Sequence, residues 1–299
     1  MKFSEIIGND EAKKYLMKSI EQKNILHSYL FIGTEGIGKS LIAKEFAKKI
    51  LCFNKDENCS CKSCISFDGG NHPDFFVIND SESDIIKVET IRNMTEKVYE
   101  KPIVSDKKVY IINDCDKMTI EAQNCLLKTL EEPPEFVVIM LITSNENLML
   151  NTIKSRCMMV KFHNISDEEI LNYCREKLSY TDVSKNLLRT FDGSIGRTIK
   201  IIEFKEKYKE IDIFIEKLEN ISIIDLFSYK KIFEKENIYD ILDYIIVCLY
   251  SKKNMKYLNC IAHINECVTR LKSYSNYDMT IDNLLIRMWE ELNENSNRS

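Results

Sequence analysis

Ser28-Tyr-Leu-Phe-Ile32 runs directly into Gly33-Thr34-Glu35-Gly36-Ile37-Gly38-Lys39-Ser40, and an amphipathic stretch follows to about Cys52. An apolar run, a glycine-rich turn and a helix in that order form a phosphate-binding loop. The glycines let the backbone curl so that its amides face phosphate oxygens, and the helix N-terminus adds unpaired N–H groups and a favourable dipole. Lys39 is placed to reach the β and γ phosphates and Ser40 to ligate magnesium, so Gly33 through Ser40 are the expected ATP-binding residues.

Outward from this loop, apolar runs recur with helical stretches between them. Asp74–Ile78, Lys108–Ile112, Phe136–Ile142 and Met158–Phe162 read as four further strands, and Val88–Glu100 and Thr119–Leu130 as helices. Continuous apolar strands alternating with helices predict a parallel five-stranded sheet covered on both faces, an α/β fold. After Phe162 the pattern changes. Ser166-Asp-Glu-Glu169 reads as a capping box opening a helix. No glycine follows Gly196 and no proline follows Pro134, so the remainder is expected to be almost entirely helical. Ile238, Ile241, Leu242, Ile245, Ile246, Leu249 and Tyr250 fall on one face of a helix, and Ile281, Leu284, Leu285, Met288 and Leu292 repeat the pattern.

Composition narrows the class. The 299 residues are 44% hydrophobic and 30% charged with a net charge of −5, which excludes a disordered chain and a generally basic nucleic-acid binder. No apolar run approaches the roughly 20 residues of a membrane helix. Charges throughout Met1–Gln22 give no secretory signal, so a cytoplasmic protein without a membrane partner is expected. Of 11 cysteines, four gather at Cys52, Cys59, Cys61 and Cys64. Cys61-Lys-Ser-Cys64 has two-residue zinc spacing, and four thiolates would make a closed, structural zinc site. Free thiols are the alternative.

A working P-loop ATPase ends its third strand with an acidic pair, one carboxylate on the magnesium shell and one orienting water. Here Asn113 and Asp114 stand in those places. Asparagine is a neutral and poorer partner for magnesium, and Asp114 is one methylene shorter than glutamate. Hydrolysis by this chain alone is therefore not expected.

The P-loop, His72-Pro73-Asp74, Asn124-Cys-Leu-Leu-Lys-Thr-Leu-Glu-Glu-Pro-Pro134 and Ser155-Arg156-Cys157 together resemble the AAA+ clamp-loader subunits of bacterial DNA polymerase III, and within them the delta-prime family. The resemblance implies an AAA+ P-loop domain over residues 1–165 with a zinc module inserted at about 52–64. It implies a helical lid domain over 166–205 and an all-α collar domain over 206–299. It implies Arg156 as an arginine finger reaching in trans into a neighbour's ATP site. The implied partners are tau or gamma ATPases and a delta subunit, with the sliding clamp and primed DNA met through the complex. Such a subunit belongs to the polymerase holoenzyme without being catalytic alone. Thr143-Ser144-Asn145 lies where a first nucleotide sensor would sit. In Asp192-Gly-Ser-Ile-Gly196-Arg197 the second sensor's arginine position falls on Gly196. Two rivals remain at this stage: a self-sufficient AAA+ motor or remodeller, and a zinc-organised interaction protein with an inert loop.

Overall fold

The computed structural model describes residues 3–54, 59–78, 85–273 and 275–293, so residues 55–58 of the cysteine module lie outside it. Two compact units are formed, Met1–Ile170 with Gly193–Gly196, and Leu171–Asp192 with Arg197–Ser299.

In the first unit the strands are β1 (Ser28–Ile32), β2 (Phe75–Ile78), β3 (Lys108–Ile112), β4 (Val137–Thr143) and β5 (Met158–Lys161). They pair in the order β2-β3-β4-β1-β5, parallel throughout. The helices are α1 (Asp10–Glu21), α2 (Lys39–Leu51), α3 (Lys62–Asp68), α4 (Val88–Val98), α5 (Ile120–Glu131) and the single turn α6 (Asn151–Lys154). Alternate residues of each strand point to opposite faces, and each face has its own core. Tyr29, Phe31, Val109, Ile111 and Met140 pack with Leu16 of α1 and with Ile42 and Phe46 of α2. Leu30, Tyr110, Ile112, Ile139 and Leu141 pack with Ile91 and Met94 of α4 and with Leu126 of α5. Each such fully buried aliphatic or phenylalanine side chain contributes about 1.5–3 kcal/mol relative to exposure. This double burial is why β1, β3 and β4 carry no polar alternation. At the sheet edge, β5 buries only Val160.

Because the strands are parallel, their C-terminal ends meet on one rim, and the loops there build the site. α5 is capped by Thr119, whose hydroxyl accepts from the Ala122 amide at 3.2 Å.

The second unit is helical. α7 (Asp167–Lys177) opens on the reciprocal box read in the sequence: Ser166 Oγ accepts from the Glu169 amide and Glu169 accepts from the Ser166 amide at 3.1 Å. α8 (Lys185–Phe191), α9 (Ile195–Glu203), α10 (Lys205–Lys217) and the short α11 (Ile223–Leu226) lead to α12 (Ile238–Ser251), α13 (Met255–Lys272) and α14 (Tyr277–Asn293). All five stripe residues of α14 are buried, and α12 buries Ile238, Ile241, Leu242, Ile245 and Leu249. Tyr250 departs from the expected stripe: it is 65% exposed, one step past Leu249 and therefore rotated about 100° off the buried line. Among the described residues no helix is long and apolar enough to cross a membrane.

Candidate functional site

The glycine loop leaves β1 with Gly33 N–H donating to the Thr143 carbonyl at 3.3 Å, which ties it to the end of β4. Gly36 and Gly38 take φ of 75° and 96°, left-handed values that a side chain would strain. Lys39 folds back over the loop, its Nζ donating to the carbonyls of Gly33 (2.6 Å) and Thr34 (2.7 Å). Burial pushes the Lys39 ammonium below its ordinary range, and the carboxylates of Asp114, Asp116 and Glu35 partly offset this. Ile37 is buried under the loop, and Thr34 donates to Asn164 Oδ1 at 2.7 Å. Ser40 is half-buried at the start of α2.

Asn113 follows β3, its amide paired with Ile78. Its Oδ1 is buried without a hydrogen-bond partner. A lone buried acceptor at this strand end fits a hydrated cation, whose water would supply the missing donor. Asp114 is held in a left-handed conformation at φ 47°, its carboxylate 3.3 Å from Lys117 Nζ. Asp116, which the sequence reading passed over, accepts from Thr143 Oγ1 at 2.8 Å and from the Ser144 amide and hydroxyl at 3.3 Å each. It fixes the polar end of β4 beside the loop. A second missed residue is Gln123 of α5, which donates to the Leu148 carbonyl at 3.0 Å and accepts from the Leu150 amide at 2.9 Å.

Arg156 lies two residues after α6, at the entry to β5. One guanidinium nitrogen is 2.6 Å from Glu131 Oε1, and another donates to the Thr152 carbonyl at 2.8 Å. The carboxylate comes from the Leu130-Glu-Glu-Pro-Pro134 run at the end of α5, so the two motifs meet directly. The Arg156 side chain keeps a third of its surface exposed.

On the opposite margin of this unit, the Sγ atoms of Cys52, Cys59, Cys61 and Cys64 lie within 4.8 Å of one another. A tetrahedron of thiolates at the usual zinc–sulfur distance has edges of about 3.8 Å, so the four hold a zinc ion once they close by at most about 1 Å. Burial pushes the Cys61 thiol up, but hydrogen bonds from the Cys64 and Phe53 amides, with those of the Cys59 and Cys64 thiols, outweigh that and bring it to about 6, while burial and the neighbouring Cys52 and Cys61 push the Cys64 thiol up. Such N–H···S bonds stabilise the thiolate a metal needs.

Gly196 brings backbone against the loop: its N–H donates to the Gly36 carbonyl at 2.9 Å. Arg197, the arginine displaced by one position, pairs in the second unit with Asp243 at 2.6 Å and Asp240 at 3.7 Å, both on α12.

The fold is that of an AAA+ P-loop module. Residues 8–166 match the family described as DNA polymerase III, delta subunit, and the chain belongs to that family, the clamp-loader subunits. It is 34% identical over 192 residues to the delta' subunit of DNA polymerase III from Bacillus subtilis (strain 168), covering 64% of this chain and 57% of that protein. It is 36% identical over 173 residues to the tau subunit of the same organism, covering 57% of this chain and 30% of that one. The chain thus spans less than two thirds of these relatives' lengths. The crystal structure of a gamma subunit-related protein from Thermotoga maritima shares the fold, with a TM-score of 0.58 at 18% identity over 94% of this chain and 99% of that one.

Proposed function

We propose that this chain is a delta-prime-like, non-motor subunit of a DNA polymerase III clamp loader, which acts on a neighbouring ATP site through Arg156. The observation that carries this reading is an asymmetry. The chain's own acidic pair is replaced by neutral Asn113 and by Asp114 turned toward Lys117, while its arginine is oriented by Glu131 and the Thr152 carbonyl with one edge exposed. A guanidinium so held stabilises charge developing on a γ-phosphoryl group, whichever chain binds the nucleotide.

ATP with magnesium would be held by the loop amides from Thr34 through Gly38, by Lys39 and by Ser40, with Asn113 toward the cation's water and the Gly33 amide tying the loop to Thr143. Magnesium would neutralise phosphate charge. Asp114 is short and turned toward Lys117, and Asp116 is engaged by Thr143 and Ser144, so neither is placed as a glutamate would be to orient the attacking water. Zinc on Cys52, Cys59, Cys61 and Cys64 would be structural, since four protein ligands leave no open position. The partners are tau or gamma ATPases and a delta subunit in the cytoplasm, with the sliding clamp and primed DNA reached through the assembly. Three functional parts are proposed, at 1–165, 166–205 and 206–299, the last being a collar.

A self-sufficient AAA+ motor is the second reading, favoured by the complete loop and the buried Lys39. Two measurements on the purified chain separate them: ATP affinity and magnesium-dependent turnover. Binding without turnover, together with co-elution with the tau-type ATPase and delta on size exclusion, supports the first. Robust turnover by the isolated chain, unchanged in Arg156→Ala, overturns it.

A further inference from the structure

A buried polar cluster lies behind the cysteine module. Leu51 is the last residue of α2, so its carbonyl has no acceptor role within the helix. It accepts two hydroxyls, Ser63 Oγ at 2.8 Å and Ser105 Oγ at 2.9 Å. His72 Nδ1 accepts from the Asp74 amide at 3.1 Å. An amide can only donate, so Nδ1 carries no proton and the ring proton sits on Nε2. Nε2 faces Ser63 Oγ at 2.9 Å and Ser105 Oγ at 3.3 Å. One chain of donors follows: the Asp74 amide to His72, His72 to Ser63, Ser63 to Leu51, with Ser105 Oγ 3.3 Å from Ser63 Oγ beside it. The Asp74 carboxylate closes the frame by accepting from the amides of Ile103 (2.6 Å), Val104 (2.7 Å) and Ser105 (2.8 Å). Ser63, His72, Asp74 and Ser105 are all at least nine-tenths buried.

Two of the cluster's members adjoin cysteines of the metal group. Leu51 precedes Cys52, and Ser63 precedes Cys64; these are the two buried sulfurs of the four, while Cys59 and Cys61 are half-buried. We propose that the His72–Ser63–Ser105 hub positions Cys52 and Cys64 for a four-thiolate zinc ion, with His72 a positioning residue and not a ligand. Both imidazole nitrogens are already engaged, which leaves none for the metal. A fully satisfied buried network is stiff because each member fixes the next. Stiffness matters here because a tetrahedral site tolerates only a few tenths of an ångström in its sulfur positions. The proposal rests on the zinc reading above.

The test is zinc affinity of the full chain, measured by competition with a chromophoric chelator. Removing a residue that orients a metal ligand weakens binding by about 10–100-fold, and that loss is expected for His72→Ala and for Ser63→Ala. His72→Gln, whose amide can donate from near the Nε2 position, is expected to recover most of it, and the exposed Ser60→Ala is expected to bind as the native chain does. If His72→Ala fails to fold, Ser63→Ala carries the test, since it removes one oxygen. A merely structural hub would lower the melting temperature equally with and without zinc and leave affinity untouched. Native zinc affinity in Ser63→Ala therefore overturns the positioning role. A native chain that binds no zinc at all overturns the zinc reading, and the proposal with it.

Discussion

Gly196→Ala sets two physical effects against each other with opposite signs. Gly196 is the second residue of α9, and alanine is the better helix former by about 0.5–1 kcal/mol in a helix interior. Packing opposes this. A Cβ at 196 would lie 3.0 Å from Gly36 Cα and 3.2 Å from Gly36 O. Ordinary carbon contacts sit at about 3.5–4.0 Å, so the backbones must part by roughly half an ångström or more. Both offending atoms are main chain, at the bend of a loop held at φ 75°, and cannot rotate away. Overpacking of this kind costs about 1–3 kcal/mol, which exceeds the propensity gain. In a unit of this size each kcal/mol moves the melting temperature by roughly 2–4 °C. Far-UV circular dichroism should therefore show a lower transition for Gly196→Ala. Titration with a fluorescent ATP analogue should show weaker binding, because the loop amides are displaced with Gly36. A variant that melts at or above the native temperature and binds the analogue equally well would refute the argument: propensity would have won, and the close approach of Gly196 to the loop would not exist in solution.

Three further outcomes are expected. Lys39→Ala should abolish nucleotide binding with little change in melting temperature, as followed by equilibrium dialysis; retained binding would take the lysine out of the site. Asp74→Asn, which presents an amide to the three backbone N–H groups its carboxylate now accepts, should lose about 2–4 kcal/mol in urea unfolding. Burial lowers the affinity of His72 for a proton below the ordinary 6.5. Above that pH the ring is neutral in folded and unfolded chains and its stabilisation is complete. As the pH falls through it the unfolded chain takes up the proton first, so the stability difference between native and His72→Gln, both metal-free, should shrink from about pH 8 to about pH 5.

The sheet was legible in the sequence because burial on both faces writes each strand as an unbroken apolar run: β1 and β3 match their expected bounds residue for residue. The phosphate loop, the cysteine group and the Ser166–Glu169 box were legible because each is local, with all its partners within a few residues. What escaped the reading joins residues distant in sequence. Asp116 meets Thr143 across 27 positions; the resemblance implies that the Asn124–Pro134 helix packs beside Arg156, but not that Glu131, 25 positions away, is the residue that pairs with it. His72 finds its hydroxyls 9 positions back and 33 ahead. No periodicity records such pairs. α3 was missed for another reason: seven residues with two cysteines in or beside them have no room to show a helical stripe. Tyr250 was over-read, since an apolar type at a stripe's margin does not fix on which side of the margin it falls.

We propose that Arg156 acts on a neighbour's nucleotide. The most direct measurement is ATP turnover, stimulated by clamp and primed DNA, of an assembly of this chain with the tau-type ATPase and delta subunits of the same organism. Native chain and Arg156→Ala would be compared after size exclusion has shown equal assembly. An arginine finger is worth about 10³–10⁵ at a single site, diluted where other sites of the ring keep their own. A large loss of turnover in Arg156→Ala with the assembly intact is expected. Undiminished turnover in an intact assembly would contradict it.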